Sequence, residues 1–279
     1  MFPKDIIVFL EQDCRDSRQR LAFAAGLAKR WQAHLAATFV TRPLALNPHA
    51  GFAIGAALPA MLEAHLVKKS DAQSQARREF DNLTLRRSFS AEWRISDNEP
   101  PGALTLHARH ADLVIMGPPQ RQQAPTTVLG LSEGLIFASG RPCLLLPDDW
   151  PAERVARRIV IGWNGGREAA RAIADAMPLL VAAEAVHLVV LPDAGLKGLH
   201  GQEPGADMAA HLARHGVRVV LEQQPGSDAG AALLERCAAT NADLLVMGAR
   251  GRSELSEFFL GGATRVVLSE SRLPLLLSG

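Results

Sequence analysis

The chain has 279 residues, a length that suggests two domains, each long enough to bury its own core. Lys and Arg total 30 against 29 Asp and Glu, a formal net charge of +1, so no global field favours nucleic acid or an anionic membrane. Aromatic residues are 5% with no Tyr, which argues against stacking platforms for single strands. Cys14, Cys143 and Cys237 are odd in number and far apart; they make neither a disulfide framework nor a metal motif, and a reducing cytoplasm is the expected compartment. The opening apolar run meets charge at Glu11, too soon for a signal peptide core or a membrane span.

In chain order, the first half opens with a strand at Asp5-Ile6-Ile7-Val8. Glu11, Asp13 and Asp16 follow it and suggest a phosphoacceptor pocket, but the later segment Gly117-Pro118-Pro119 offers no matching Lys. Asn47 to Pro59 is rich in Gly, Ala and Pro and reads as a loop; Pro59 to about Leu83 reads as a long crossover helix. His107 and His110 read as helix-end residues. Ala111-Asp112-Leu113-Val114-Ile115-Met116-Gly117 is a strand running into a loop, and Pro142 to Leu146 is a final strand. Pro147-Asp148-Asp149-Trp150-Pro151-Ala152-Glu153 reads as a linker, with domains at 1–149 and 150–279.

The second half repeats these pieces. Arg158-Ile159-Val160-Ile161 answers the opening strand, Ala242-Asp243-Leu244-Leu245-Val246-Met247-Gly248 answers the segment at Ala111, and Leu273-Pro274-Leu275-Leu276-Leu277 answers the one at Arg141. Order and placement agree, which marks a tandem repeat. Strands are expected at 159–163, 185–191, 217–222, 244–247 and 275–277, with helices at 167–181, 204–215, 228–240 and 262–271. Ser227 or Asp228 would cap the third of those helices. Strands alternating with helices give parallel βαβ units, and wholly apolar strands fit a sheet covered on both faces. His211 and His215 stand four apart on one helix near His200, but H-E-x-x-H is missing, so solvated histidines are expected.

Ligands of such folds sit at the carboxyl ends of the strands, where the strand order switches. The second half carries Met247-Gly248-Ala249-Arg250-Gly251 there and, after nine spacer residues that begin with Arg252, Gly261-Gly262-Ala263-Thr264-Arg265. Glycines allow close backbone approach, and a helix starting near Gly262 points unpaired N–H groups and a positive dipole end at the same place. The arginines add charge, so the expectation is an anion site suited to a polyphosphate. Lys-Ser/Thr after the glycines and G-x-G-x-x-G after the first strand are both absent, which excludes a P-loop and a dinucleotide fingerprint. The plain alternative is that these glycines end a strand and begin a helix.

The spacing G-x2-G-x9-G resembles the ATP-binding loop of the universal stress protein family, and Val160 to Ala170, with Gly162-Trp163-Asn164, resembles that family's first strand and helix. The resemblance implies two doubly wound, parallel five-stranded α/β sheets of order 3-2-1-4-5, in tandem. It implies ATP or another adenine nucleotide, with or without Mg²⁺, held around Gly162, Trp163, Asn164, Leu191, Met247, Gly248, Arg250, Gly251, Arg252, Gly261, Gly262, Ala263 and Thr264. Two departures stand out. Gly262 replaces the family's Ser or Thr, with Thr264 as a partial substitute, and Asn164 replaces an Asp. In the first half Gln120 replaces the second loop glycine, Leu131 follows Gly130, and Pro118 and Pro119 remove backbone donors, so that loop is expected to be structural.

The expectation is a cytoplasmic adenine-nucleotide-binding protein with a regulatory or stress-response role and at most slow ATP hydrolysis, since no general base is evident. The alternative is an interaction module of the same fold that binds no nucleotide and works through protein partners. Neither nucleic acid nor membrane is expected as a partner; a homodimer stays open. The two final strands, Pro142 to Leu146 and Pro274 to Leu277, are expected to pair edge to edge as an internal pseudo-dimer, because each would otherwise expose unpaired backbone.

Overall fold

The computed structural model describes residues 2–11, 17–41, 58–85, 89–97, 99, 101–119, 131–191, 203–223, 228–249, 251–252 and 259–279. In the first half β1 (Asp5–Glu11), α1 (Ser17–Trp31), β2 (His34–Thr41), α2 (Leu58–Thr84), β3 (Ala91–Asp97), α3 (Pro101–Arg109), β4 (Leu113–Met116), α4 (Leu131–Ala138) and β5 (Cys143–Leu145) follow one another. The second half runs β6 (Arg158–Trp163), α5 (Arg167–Leu180), β7 (Ala185–Val190), α6 (Ala206–Arg214), β8 (Val219–Gln223), α7 (Ala229–Ala239), β9 (Leu244–Gly248), β10 (Gly251–Arg252), β11 (Phe259–Leu260), α8 (Gly262–Glu270) and β12 (Leu275–Ser278).

The strands form one ten-stranded sheet of order β3-β2-β1-β4-β5-β12-β9-β6-β7-β8. Each half therefore has the expected order 3-2-1-4-5, and the pairs within each half are parallel. The halves meet at one antiparallel pair, β5 with β12, where Leu145 faces Leu275, Leu144 faces Leu276 and Cys143 faces Leu277. The internal pseudo-dimer expected from the two apolar final strands is this seam. Joining the edges satisfies the backbone groups that either strand would leave open alone.

Alternation along the strands sorts the core into two layers. Ile6, Val8, Ile159, Ile161 and Leu276 lie on one face with α1, α2, α5 and α6; Ile7, Val160, Leu245 and Leu277 lie on the other with α3, α4, α7 and α8. Both layers cross the seam without a break. Helix α5 shows how the pattern works: Ala169, Ala172, Ile173, Ala176, Leu179 and Leu180 are its buried residues, a stripe at helical spacing that faces the sheet. Asp228 is the cap of α7, its Oδ1 accepting the Ala231 N–H at 3.0 Å. The long helix expected after Pro59 is α2; the loop expected at 47–59 falls largely outside the described residues.

The segment read as a linker is packed into the protein. Trp150 is buried, its Nε1 donates to Arg154 O at 2.9 Å, and the Arg154 guanidinium lies 4.6 Å from the indole centroid. Across the seam, Arg171 Nη2 donates to Gly140 O at 2.9 Å; within the second half, Ser278 Oγ donates to Asp175 Oδ2 at 2.9 Å. No helix among the described residues is long and apolar enough to cross a membrane.

Candidate functional site

The carboxyl ends of β6 and β9 lie side by side, with Ile161 opposite Val246 and Gly162 opposite Met247. These neighbouring strands continue in opposite directions in the sheet order, so a crevice opens at their ends. It holds a cavity of about 160 Å³. Gly162, Asn164, Met247 and Gly248 form its strand-end wall, and Leu191, just past β7, closes one side. The first turns of three helices complete it: Glu168 and Ala169 of α5, Ala229 of α7, and Gly262, Ala263 and Thr264 of α8 after Gly261. Three helix N-termini thus converge on one small space, each bringing a positive dipole end.

Local sequence explains the arrangement. After β6 the chain turns on Asn164-Gly165-Gly166. Asn164 Oδ1 accepts the Gly166 N–H at 3.0 Å, an Asx turn, and Gly165 adopts φ 76°, a conformation that favours glycine. Gly248 is the point of closest approach. A Cβ there would stand 2.5 Å from Ala169 N and 2.8 Å from Glu168 Cβ, so only glycine lets the end of β9 press against the first turn of α5. Helix α8 begins with Gly261 as N-cap and no side-chain cap bond. Among the described residues, no atom beyond its chain neighbours and its own helix backbone lies within 4 Å of a Cβ at Gly262, and Thr264 is buried beside it.

Most of the sequence-predicted residues come together here: Gly162, Asn164, Leu191, Met247, Gly248, Gly261, Gly262, Ala263 and Thr264 all line the cavity. Trp163 does not. It packs into the core layer of the opposite face, 3.8 Å from where a Cβ on Gly205 would stand. The spacer between the glycines closes as a short antiparallel ladder, with Gly251 opposite Leu260 and Arg252 opposite Phe259. Arg250 lies outside the described residues. Glu168 and Ala229 line the cavity although the motif alone did not single them out. The turn after β6 is only three residues long, and that shortness is the signal that brings the start of α5 to the strand end.

The first half differs at the corresponding place. The buried stripe of α1 at Leu21, Ala24, Ala25 and Ala28 matches that of α5 at Ala169, Ala172, Ile173 and Ala176, which sets Arg20 opposite Glu168. Arg20 is 1% exposed; its Nη1 donates to Phe9 O at 3.3 Å and its Nη2 meets Asp148 Oδ1 at 2.6 Å. The guanidinium stands against Gly117, the glycine that ends β4. Gln120 and Gly130 lie outside the described residues.

The other candidates resolve simply. His211 and His215 stack edge to face with centroids 4.7 Å apart, and among the described residues no group of three or more His, Cys, Asp or Glu could hold a metal. His107 lies in the last turn of α3 and His110 just after it. Burial pushes the Cys143 and Cys237 thiols up to about 12, which makes both inert as nucleophiles.

No curated protein sequence matches the chain. Among solved structures, a universal stress protein from Archaeoglobus fulgidus DSM 4304 superposes with a TM-score of 0.69 at 16% identity, covering 98% of this chain and 97% of that one. A protein of unknown function from Pseudomonas aeruginosa PAO1 gives a TM-score of 0.60 at 16% identity, covering 99% and 92%. A universal stress protein from Archaeoglobus fulgidus in complex with dAMP matches 51% of this chain and 97% of its own, at 13% identity and a TM-score of 0.32. The family model described as the universal stress protein family matches residues 156–278. Residues 156–278 thus carry a universal stress protein domain, joined edge to edge to a first half of the same fold.

Proposed function

We propose that the chain is a regulatory, stress-response protein that binds one adenine nucleotide in the crevice of its second half. The observation that carries this reading is the cavity between β6 and β9, walled by glycine backbone and by the first turn of α8, with no side chain of the described residues within 4 Å of a Cβ at Gly262. In this reading the backbone N–H groups of Gly262 and Ala263 hold a phosphate, the Asn164 amide meets the ribose, and Leu191 and Met247 flank the base. ATP is the fullest ligand in this reading, with Mg²⁺ carried on its phosphates. Hydrolysis is slow because no described lining residue is placed as a general base except by rearrangement of Glu168. The reading also takes residues 1–149 and 150–279 as the two domains, places the protein in the cytoplasm, and assigns no nucleic-acid or membrane partner.

A second reading has one observation in its favour. Asn164 Oδ1 already serves the Asx turn with Gly166, and Gly262 supplies no hydroxyl. A chain with those features would act through protein partners or as a homodimer without nucleotide. Mass spectrometry of purified, denatured protein, with calorimetry against AMP and ATP, separates the two. Co-purified or titratable adenine nucleotide at one per chain, lost in Gly251→Val, supports the first reading. No nucleotide under either condition overturns it.

A further inference from the structure

The ten-stranded sheet ends at β3 on one side and at β8 on the other. β3 reads Ala91-Glu92-Trp93-Arg94-Ile95-Ser96-Asp97 and has none of the Pro, Gly or Lys that blunt an open edge. Among the described residues no strand pairs with its outer side. The Leu35 N–H donates to Ser90 O at 2.9 Å, so Ser90 and every second residue after it turn both backbone groups toward β2. Ala91, Trp93 and Ile95 therefore turn theirs outward. Side chains alternate as well. Trp93 lies on the α2 side, 6.1 Å from the Phe39 ring and 5.5 Å from that of Phe80. Ile95 shares that side and is 47% exposed. Glu92 and Arg94 project from the other face, bonded to one another and 41% and 40% exposed.

We propose that β3 is the contact surface for a second copy of this chain, paired antiparallel with itself across a two-fold axis through Trp93. Such an axis sets one residue of the strand opposite its own copy, and the charges choose which one. Centred on Trp93, Glu92 faces Arg94 of the second copy and Arg94 faces its Glu92, so both charge pairs on that face are favourable. On the α2 side the two Trp93 side chains meet and Ala91 meets Ile95, which covers the exposed Ile95. Centring on Glu92 or on Arg94 would set like charges directly opposite, and centring on Ile95 would set Trp93 against Asp97. The Trp93 register also joins the backbone groups that point outward: Ala91, Trp93 and Ile95 exchange N–H···O=C bonds with Ile95, Trp93 and Ala91 of the second copy. A guanidinium can serve two carboxylates, so Arg94 keeps the Glu92 of its own strand. Asp97, at the strand's end, keeps Lys69 Nζ and Thr41 Oγ1, each at 2.6 Å. Leu62 and Leu66 are exposed and extend the side of α2 on which Lys69 reaches Asp97 and Phe80 meets Trp93, adding apolar surface along the same edge.

Sedimentation velocity on the full chain, from low to high micromolar concentration, tests it. No nucleotide is needed, because the crevice opens at β6 and β9 in the other half. The expected result is a reversible monomer–dimer equilibrium in the micromolar range, since one strand edge with a few flanking side chains is a small interface. Glu92→Arg alone sets guanidinium groups opposite each other, and Arg94→Glu alone sets carboxylates opposite each other. Each should weaken the dimer about ten-fold or more, because favourable pairs are lost and repulsive ones gained on both sides of the axis. Glu92→Arg combined with Arg94→Glu restores opposite charges in this register alone and should recover the dimer. Ile95→Pro removes an N–H that points away from β2, so the ladder to β2 stays whole while the outer edge is blocked; folded by circular dichroism, this variant should be monomeric throughout. A parent protein that sediments as a monomer at every concentration overturns the inference. So does a dimer that the single reversals leave intact, or one that they weaken and the double reversal does not recover.

Discussion

The seam between β5 and β12 can be tested by a single side chain. Leu276 is 1% exposed, sits opposite Leu144 and Val246, and belongs to the core layer that crosses from one half to the other. Truncation to Ala removes buried methyl groups and leaves a gap, at about 2–5 kcal/mol. At roughly 2–4 °C per kcal/mol for a protein of this size, a loss of about 3 kcal/mol lowers Tm by roughly 6–12 °C. Leu276→Asp adds an unpaired carboxylate among aliphatic neighbours, several kcal/mol more, which together is comparable to the whole stability of a typical domain at about 5–15 kcal/mol. The seam contributes only three residue pairs, so it should part before the halves unfold. Its parting also uncovers Trp150 and the linker now packed against the core. Limited proteolysis should then cut between Asp148 and Glu153 in Leu276→Asp. Ile161→Ala, a core change in β6 two strands from the seam, should lower Tm without that cut. If Leu276→Asp keeps the parent's Tm within 2 °C and its protease resistance, or if the two halves of the unmodified protein tumble independently by NMR relaxation, the pairing is wrong.

Gly262→Ser should fold normally, since among the described residues no atom outside its neighbours and its own helix backbone lies within 4 Å of the new Cβ. It should tighten AMP binding by a few-fold, about 1 kcal/mol for one added hydrogen bond; calorimetry showing weaker binding would mean that the helix start needs glycine itself. Gly248→Ala, by contrast, puts a Cβ 2.5 Å from the Ala169 backbone nitrogen and should lower Tm markedly by overpacking, visible in a thermal scan with no ligand present. Cys143 and Cys237, with thiols pushed up to about 12 by burial, should resist a thiol reagent at pH 8 in the folded protein and react only as fast as the chain opens. Burial also pushes the Asp175 carboxyl up, against the opposing pull of Ser278 and Arg171. An acid raised by folding gives its stability in full below its ordinary value near 3.8 and loses it as pH rises through the folded value. Asp175→Asn should therefore gain in Tm relative to the parent between pH 3.5 and pH 7, and a flat difference would discount the effect.

The fold was legible because its strands advertise themselves. Ile159 to Ile161 and Leu244 to Val246 are wholly apolar and short, which only a sheet covered on both faces can use, and the repeat marked the same elements in both halves; the strand order itself was implied by the resemblance to the family. The final strands were legible as partners for a different reason: two apolar edges in one chain need a cover, and each is the other's nearest candidate. The ladder of β10 with β11 was not legible, because two residues on each side are too few for any period. Trp163 was grouped with the site because it is adjacent in sequence to Gly162 and Asn164, but neighbours in a strand point to opposite faces, and its indole belongs to the core layer beyond the sheet. Glu168 was passed over because an acid in the first turn of a helix already has an ordinary explanation in the helix dipole. Arg20 was invisible for the opposite reason: its partner Asp148 lies 128 residues away, a separation that no local pattern reports.

These misses share a physical cause that bears on how the two halves came to differ in use. Apolar periodicity determines the sheet and where its crevices open, and it does so equally in both halves, so fold-level reasoning assigns each half the same potential site. What fills a crevice depends instead on single side chains in the first turn of the following helix, where the backbone path is already decided and a charge costs little for folding by itself. At that position the first half has Arg20, long enough to cross the crevice and reach the Phe9 carbonyl and the linker carboxylate. The second half has Glu168, held back on Gly248 with the cavity open in front of it. Arg20→Ala would remove the cation that now occupies the first crevice and release Asp148 from it, which should lower Tm, because a buried polar network loses its donor. Methylguanidine at millimolar concentration should restore part of that loss by occupying the vacated space. An unchanged Tm in Arg20→Ala, or no recovery with methylguanidine, would show that Arg20 does not fill the first crevice and that the asymmetry between the halves lies in the loops alone.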